Sequence, residues 1–206
     1  MKASKAGAFE NEVQPIKLKF RGEQTTVLSD EQPRNANIEK IPSLRPAFKE
    51  GGTVTAANSS SISDGAAAMV ITKLSIAEQL GVKPLATIVA HVTHAQEPEW
   101  FTTAPIGAIK KVLDKTNWGK DDVDLYEINE AFSVVVLAAL KELDLDREKV
   151  NIHGGACAIG HPIGASGARI IVTLLNSLEK YGLRKGVASL CIGGGEATAV
   201  AIEKFH

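Results

Sequence analysis

From Pro84 onward, apolar positions fall into two alternating periodicities. Thr87 to Val92 reads as a strand. Ile106, Ile109 and Leu113 share one helical face, and Pro105 stands just inside the start of that helix. Leu125 to Ile128 reads as a short strand. Phe132, Val135, Val136, Ala139, Leu140 and Leu143 follow helical spacing. Val150 to Ile152 reads as a third strand. Ile171, Leu174, Leu175 and Leu178 mark a further helix, ended near Gly182. Val187 to Ile192 and Ala197 to Ile202 read as a closing strand pair. Strands alternating with helices predict a layered α/β domain with a mixed sheet.

The pattern before Pro84 is weaker. Ile16, Leu18 and Phe20 alternate with Lys17 and Lys19, which predicts a half-exposed strand with Thr25 to Leu28 as its partner. Prolines 33, 42 and 46 punctuate a loop-rich stretch. Residues 51–63, GGTVTAANSSSIS, read either as a linker or as a binding loop that turns hydroxyls toward a ligand. Ala66 to Thr72 reads as a buried strand, and Ser75 to Leu80 as a helix stopped by Gly81.

Composition narrows the function classes. The 206 residues carry a net charge of −1, so no global basic field points to nucleic acid or to an acidic membrane. No apolar run has the length of a membrane-crossing helix. The first residues, MKASKAGAFENE, lack the apolar core of a secretory signal. Two cysteines, Cys157 and Cys191, do not make a disulfide framework, and a reducing cytosol or organelle matrix fits them. The five histidines show no zinc-type spacing with those cysteines, so no metal is expected.

Candidate chemistry sits where strands end. The stretch Val150–Ala168 is dense in glycine and holds His161 between Gly160 and Pro162. Asn129 and Phe132 belong to a strand-to-helix loop, and Cys191 closes a strand before Gly193-Gly194-Gly195. Such loops converge at one end of an α/β sheet. A histidine and a cysteine that converge can share a proton. An amide beside them can hold an oxyanion or a water, and Gly193 can present a bare N–H. Taken singly, each has a plainer reading: His161 as an incidental loop residue, and Cys191 as a small buried hydrophobe. Cys157 is read as packing.

Together, NEAF at 129–132, GHPIGASGAR at 160–169 and CIGGG at 191–195 resemble, in order and spacing, the three C-terminal motifs of the thiolase family. GTVTAANSSSISDGAAA resembles that family's coenzyme A loop, usually written GTVTAGNASGLNDGAAA. The resemblance runs along essentially the whole chain. It implies a layered αβαβα fold of two similar halves plus a loop domain. Residues 1–60 then resemble the end of the loop domain, 61–82 the last strand and helix of the N-terminal half, and 83–206 the C-terminal half. The motif with the acyl-accepting cysteine is absent, so the half that bears it is an expected partner.

The resemblance implies acyl transfer between coenzyme A thioesters, which are substrates rather than a resident cofactor. The biosynthetic members, which join two acetyl-CoA into acetoacetyl-CoA, are the nearest in motif. A degradative thiolase acting on longer 3-ketoacyl chains and a non-catalytic CoA-binding module are the alternatives. His161 resembles the base that activates the nucleophile, and Cys191 the acid–base of the carbon–carbon step. Asn129 resembles the residue that positions a water, and the N–H of Gly193 part of an oxyanion hole. Ser60, Arg34, Ala56 and Ile62 fall where the family contacts coenzyme A, while Phe132 and Phe101 wall the acyl pocket. Ala57 and Ser61 replace frequent loop glycines, and Glu196-Ala197 follow the glycine triplet where Met-Gly or Gln-Gly is common. A homodimer or homotetramer and a bacterial cytoplasm, or else a mitochondrial matrix, complete the expectations.

Overall fold

The computed structural model describes residues 2–205. A short helix α1 (Lys2–Lys5) leads to the hairpin β1 (Ile16–Phe20) and β2 (Glu23–Val27). Arg21 and Gly22 both adopt positive φ at its two-residue turn, which matches the twist of the flanking strands. Every residue of the two strands is exposed, so the pair covers nothing, where half-burial was expected. Helix α2 (Glu31–Asn35) follows, then a 3₁₀ helix (Ile38–Ser43) and an irregular stretch to α3 (Leu74–Gln79).

Ala66–Thr72 is not a buried strand. It forms no regular element, and Val70 is 96% and Ile71 69% exposed. Its residues have the composition of a strand, but among the described residues no strand edge pairs with them. A strand is made by its partners as much as by its sequence.

The C-terminal half carries the core. Its elements are β3 (Ala86–Ala95), α4 (Ala104–Thr116), β4 (Leu125–Ile128), α5 (Ser133–Leu143), α6 (Ala156–Ile159), α7 (Ser166–Lys180), β5 (Lys185–Ile192) and β6 (Glu196–Lys204). The sheet order is β3-β6-β5-β4. β4 and β5 run parallel, while β5–β6 and β6–β3 are antiparallel. The expected mixed α/β sheet is therefore present.

Strand alternation sends successive side chains to opposite faces. Tyr126, Ile128, Val187, Ala197, Ala199 and Ala201 pack with Ile109 and Val112 of α4 and Val135 and Ala139 of α5. Leu125, Ala188 and Ile202 pack on the other face with Ile170, Leu174 and Leu178 of α7. Each fully buried valine, leucine or isoleucine among them contributes roughly 1.5–3 kcal/mol. Small alanines in β6 let α4 come close. Gly186 does the same for α7, since a Cβ there would stand 2.9 Å from Leu174.

The third expected strand, Val150–Ile152, is reduced to one parallel bridge between Val150 and Tyr126. Asn151 turns to φ +47° and ends the ladder after a single residue. This brings the glycine-rich stretch across the C-terminal end of β4, where the reactive residues gather.

Candidate active site

The carboxyl ends of β4 and β5 set the site. Ile128 pairs with Ser189, and the Asn129 N–H donates to the Ser189 carbonyl at 2.9 Å. Asn129 and Cys191 therefore leave the same end of two adjacent parallel strands, which stand about 4.8 Å apart. Asn129 is buried, at 1% exposure, and its Oδ1 has no partner among the described residues.

His161 arrives from the glycine-rich stretch. Helix α6 stops at Gly160, whose φ of +94° and lack of Cβ let it pass beside the Ser63 hydroxyl. The His161 N–H donates to the Ser61 carbonyl at 2.8 Å, and His161 forms a parallel bridge with Ile62. The imidazole is held at both nitrogens. Nε2 lies 3.3 Å from Asn129 Nδ2, and Nδ1 lies 2.5 Å from Ser166 Oγ. Ser166 Oγ donates its own proton to the Pro162 carbonyl. Asn129 Nδ2 can only donate, so Nε2 is the bare nitrogen that accepts from it and Nδ1 carries the proton toward Ser166. Burial lowers the His161 pKa, and the charge of Arg169 lowers it further. The ring is thus a neutral base.

Cys191 is buried at the end of β5 and packs in the cluster on the α4–α5 face. Burial raises its thiol pKa. No hydrogen bond joins it to His161 or Asn129 among the described residues, so the structure brings those two together and sets Cys191 beside them on the neighbouring strand. Gly193 follows two residues on, exposed, with open space where a Cβ would be.

The segment before the domain clamps this end of the sheet. The Ser60 N–H and hydroxyl both donate to the Ala131 carbonyl, and Ser59 bridges Phe132. The Ser60 hydroxyl is therefore engaged with the chain itself. Ile62 is 86% exposed, and Ala56 and Arg34 are exposed too. Arg34 Nε donates to the Asp30 carbonyl. Phe132 stacks edge-on with Phe101 at 6.4 Å and with Phe48 at 5.8 Å. An open groove of about 450 Å³ runs beside His161, lined by Ser63, Asp64, Gly65, Pro162, Ile163 and Ala168. Cys157, read as packing, is half-buried with Sγ 3.4 Å from the Ser133 hydroxyl.

Several residues of the site have no signature in the sequence. Ser166, five positions after His161 at the head of α7, is legible there only as a small residue. Glu127 is wholly buried behind Asn129, and Arg169 stands 3.7 Å from it. Burial pushes the Glu127 carboxyl up to about 8, against the pull of Arg169. Among the described residues, no three His, Cys, Asp or Glu side chains converge to hold a metal ion.

The family described as "Thiolase, C-terminal domain" matches residues 82–204, and "Thiolase, N-terminal domain" matches residues 1–75. A probable acetyl-CoA acetyltransferase of Dictyostelium discoideum is 47% identical over 206 residues, all of this chain and 50% of the relative. The crystal structure of Bacillus anthracis acetyl-CoA acetyltransferase superposes with a TM-score of 0.95 at 45% identity, over 99% of this chain and 52% of that one. Human mitochondrial 3-ketoacyl-CoA thiolase in complex with CoA superposes with a TM-score of 0.89 at 38% identity, over 99% of this chain and 51% of that one. The chain spans about half the length of the curated relatives it matches. On family match, fold and motif order alike, it belongs to the thiolase family.

Proposed function

We propose that this chain carries the histidine, asparagine and acid–base cysteine of an acetyl-CoA C-acetyltransferase, which condenses two acetyl-CoA to acetoacetyl-CoA and CoA and runs the reverse thiolysis. The observation that supports this most is the His161 imidazole held as a neutral base, with Nδ1 on Ser166 and Nε2 facing Asn129. The acyl-accepting cysteine is neither Cys157 nor Cys191, and it belongs to the half of the relatives that this sequence does not span.

In the first half-reaction His161 Nε2 takes the nucleophile's thiol proton. The resulting thiolate attacks the acetyl-CoA carbonyl, and CoA leaves as a thiolate. Cys191, kept as a thiol by burial, gives that thiolate its proton and becomes a thiolate itself. In the second half-reaction Cys191 removes the α-proton of a second acetyl-CoA. The carbanion attacks the acetyl-enzyme, and the nucleophile leaves and recovers its proton from His161. Asn129, through a water that its free amide oxygen and N–H can hold, stabilises the enolate oxygen together with His161. The Gly193 N–H serves the tetrahedral oxyanion. Ser60, Ala56, Ile62 and Arg34 lie along the approach of the CoA arm, and Phe132 and Phe101 close the acyl end.

Two free cysteines support a reducing compartment, cytosolic or mitochondrial. A dimeric or tetrameric assembly completes the reading. The test is thiolysis of acetoacetyl-CoA by the chain reassembled with a nucleophile-bearing half, followed by loss of the enolate absorbance. Turnover that is abolished by His161→Ala supports the reading, and an assembled enzyme indifferent to His161→Ala rejects it.

A further inference from the structure

Among the described residues, Asn129 has a single side-chain partner, His161, and its Oδ1 has none. Its amide is therefore placed by the backbone on either side of it, residues 128 and 130. One buried side chain grips the Ile128 backbone and the Glu130 carboxylate. Asn151 Oδ1 accepts from the Ile128 N–H at 2.8 Å, and Asn151 Nδ2 donates to the Ile128 carbonyl at 2.8 Å. The same Nδ2 donates to Glu130 Oε1 at 3.3 Å. The Asn151 N–H completes the set on the Tyr126 carbonyl at 2.9 Å. The side chain thus acts as the missing neighbour strand at the free edge of β4. That is why Val150–Ile152 pairs for one residue only and then turns to positive φ.

The grip extends to His161. The other Glu130 oxygen accepts from the Cys157 N–H at 3.1 Å, inside the helix that leads to Gly160 and His161. Gly155 must be glycine for this contact, because a Cβ there would stand 2.6 Å from the Glu130 carboxyl. One lace, Ile128–Asn151–Glu130–Cys157, therefore ties the Asn129 loop to the His161 loop. Asn151 is only 3% exposed, and both polar atoms of its side chain are used within that lace.

We propose that Asn151 is a positioning residue of the acyl-transfer site, setting the Asn129 amide against His161 Nε2; this rests on the function proposed above. A purely structural residue would stabilise the fold without moving the imidazole. A positioning residue changes the hydrogen bond that Nε2 accepts, and does so through Asn129 alone.

The experiment is nitrogen NMR of the His161 ring in the 206-residue chain, with thermal melts alongside. Asn151→Gly keeps the positive φ and removes the side chain. Asn151→Asp keeps the shape and one acceptor but removes the amide donor. Both variants should move the Nε2 resonance toward that of Asn129→Ala, and adding Asn151→Gly to Asn129→Ala should move it no further. A ring resonance unchanged from the parent in either folded variant, or shifts that add in the double variant, overturns the proposal. Should Asn151→Gly fail to fold, Asn151→Asp decides by the same criterion. In the reassembled enzyme, kcat should fall about tenfold to a hundredfold with the KM for CoA unchanged; a change confined to KM also overturns it. A coupled ring resonance in an assembly that shows no thiolysis instead rejects the functional reading and leaves the positioning intact.

Discussion

Ser166 Oγ sits 2.5 Å from His161 Nδ1 while donating to the Pro162 carbonyl, so it meets the imidazole nitrogen opposite the one that accepts from Asn129. Ser166→Ala removes the acceptor at Nδ1 and leaves the longer Asn129 contact alone to hold the tautomer. The expected result is a mixed-tautomer signature in the ring nitrogen spectrum and a loss of thiolysis in the reassembled enzyme of roughly tenfold to a hundredfold. A spectrum that still shows Nδ1–H alone would reject the assignment.

In the proposed mechanism Cys191 serves the carbon–carbon step and His161 the nucleophile. The Cys191 thiol pKa is raised by burial, which suits a group that gives a proton first and takes one later. Cys191→Ala should depress acetoacetyl-CoA synthesis on the order of a hundredfold or more, and acetyl-enzyme formation less. Rapid-quench measurement of the acetyl-enzyme against product formation separates the two. Equal losses would argue against the assignment.

The buried Glu127 makes stability depend on pH. Its carboxyl is pushed from 4.5 to about 8 by burial, with Arg169 opposing. Between those values the folded chain holds a proton that the unfolded chain has released, so this contribution is complete below pH 4.5 and is lost as pH rises through about 8. Glu12 and Asp30, also raised by burial, work in the same direction. Urea unfolding at pH 5 and pH 9 should differ by a few kcal/mol, because each tenfold difference in proton affinity between folded and unfolded chain is worth about 1.4 kcal/mol. Glu127→Gln should flatten most of that difference; an unchanged slope would place its origin elsewhere.

How far the chain can be read from its sequence follows from where each residue's partners lie. Helix α7 and strands β5 and β6 are legible because their partners lie within the chain and their periodicity reports those faces directly. Ala66–Thr72 has strand composition without a strand to pair with, and Val150–Ile152 yields its ladder to a side chain. His161, Asn129 and Cys191 stand out through the chemistry of their loops. Ser166, Asn151 and Glu130 do not, since a serine, an asparagine and a glutamate report nothing of their partners until the loops are closed.

The glycine triplet separates stability from access. A Cβ on Gly195 would overlap the Gln96 carbonyl, and its φ is +92°. Gly195→Ala should cost about 1–3 kcal/mol of folding stability. Gly193 has open space instead. Gly193→Ala should melt within a few degrees of the parent yet slow acyl transfer by covering the N–H. Thermal melts paired with turnover of the reassembled enzyme check both, and a Gly193→Ala variant with full turnover would remove that N–H from the mechanism.

The segment from Val70 to Val89 leaves apolar groups in water. Val70 is 96%, Ile71 69%, Leu80 71% and Leu85 70% exposed, with Leu74, Val82 and Ile88 close to half exposed. Exposed apolar patches of this kind mark interaction surfaces. The acyl-accepting cysteine lies outside this chain in the proposed mechanism, so the same event that covers the patch should complete the reaction. The chain alone should sediment as dimers or larger species and should not turn over acetoacetyl-CoA. Adding a separately made nucleophile-bearing half should reduce the binding of an apolar dye and bring thiolysis into view together, at one stoichiometry. Robust turnover by the chain alone, with its mass confirmed, would show that Cys157 or Cys191 accepts the acyl group and would overturn the placement of the nucleophile outside this chain. Dye release without activity would show that the patch is an assembly surface unconnected to the chemistry.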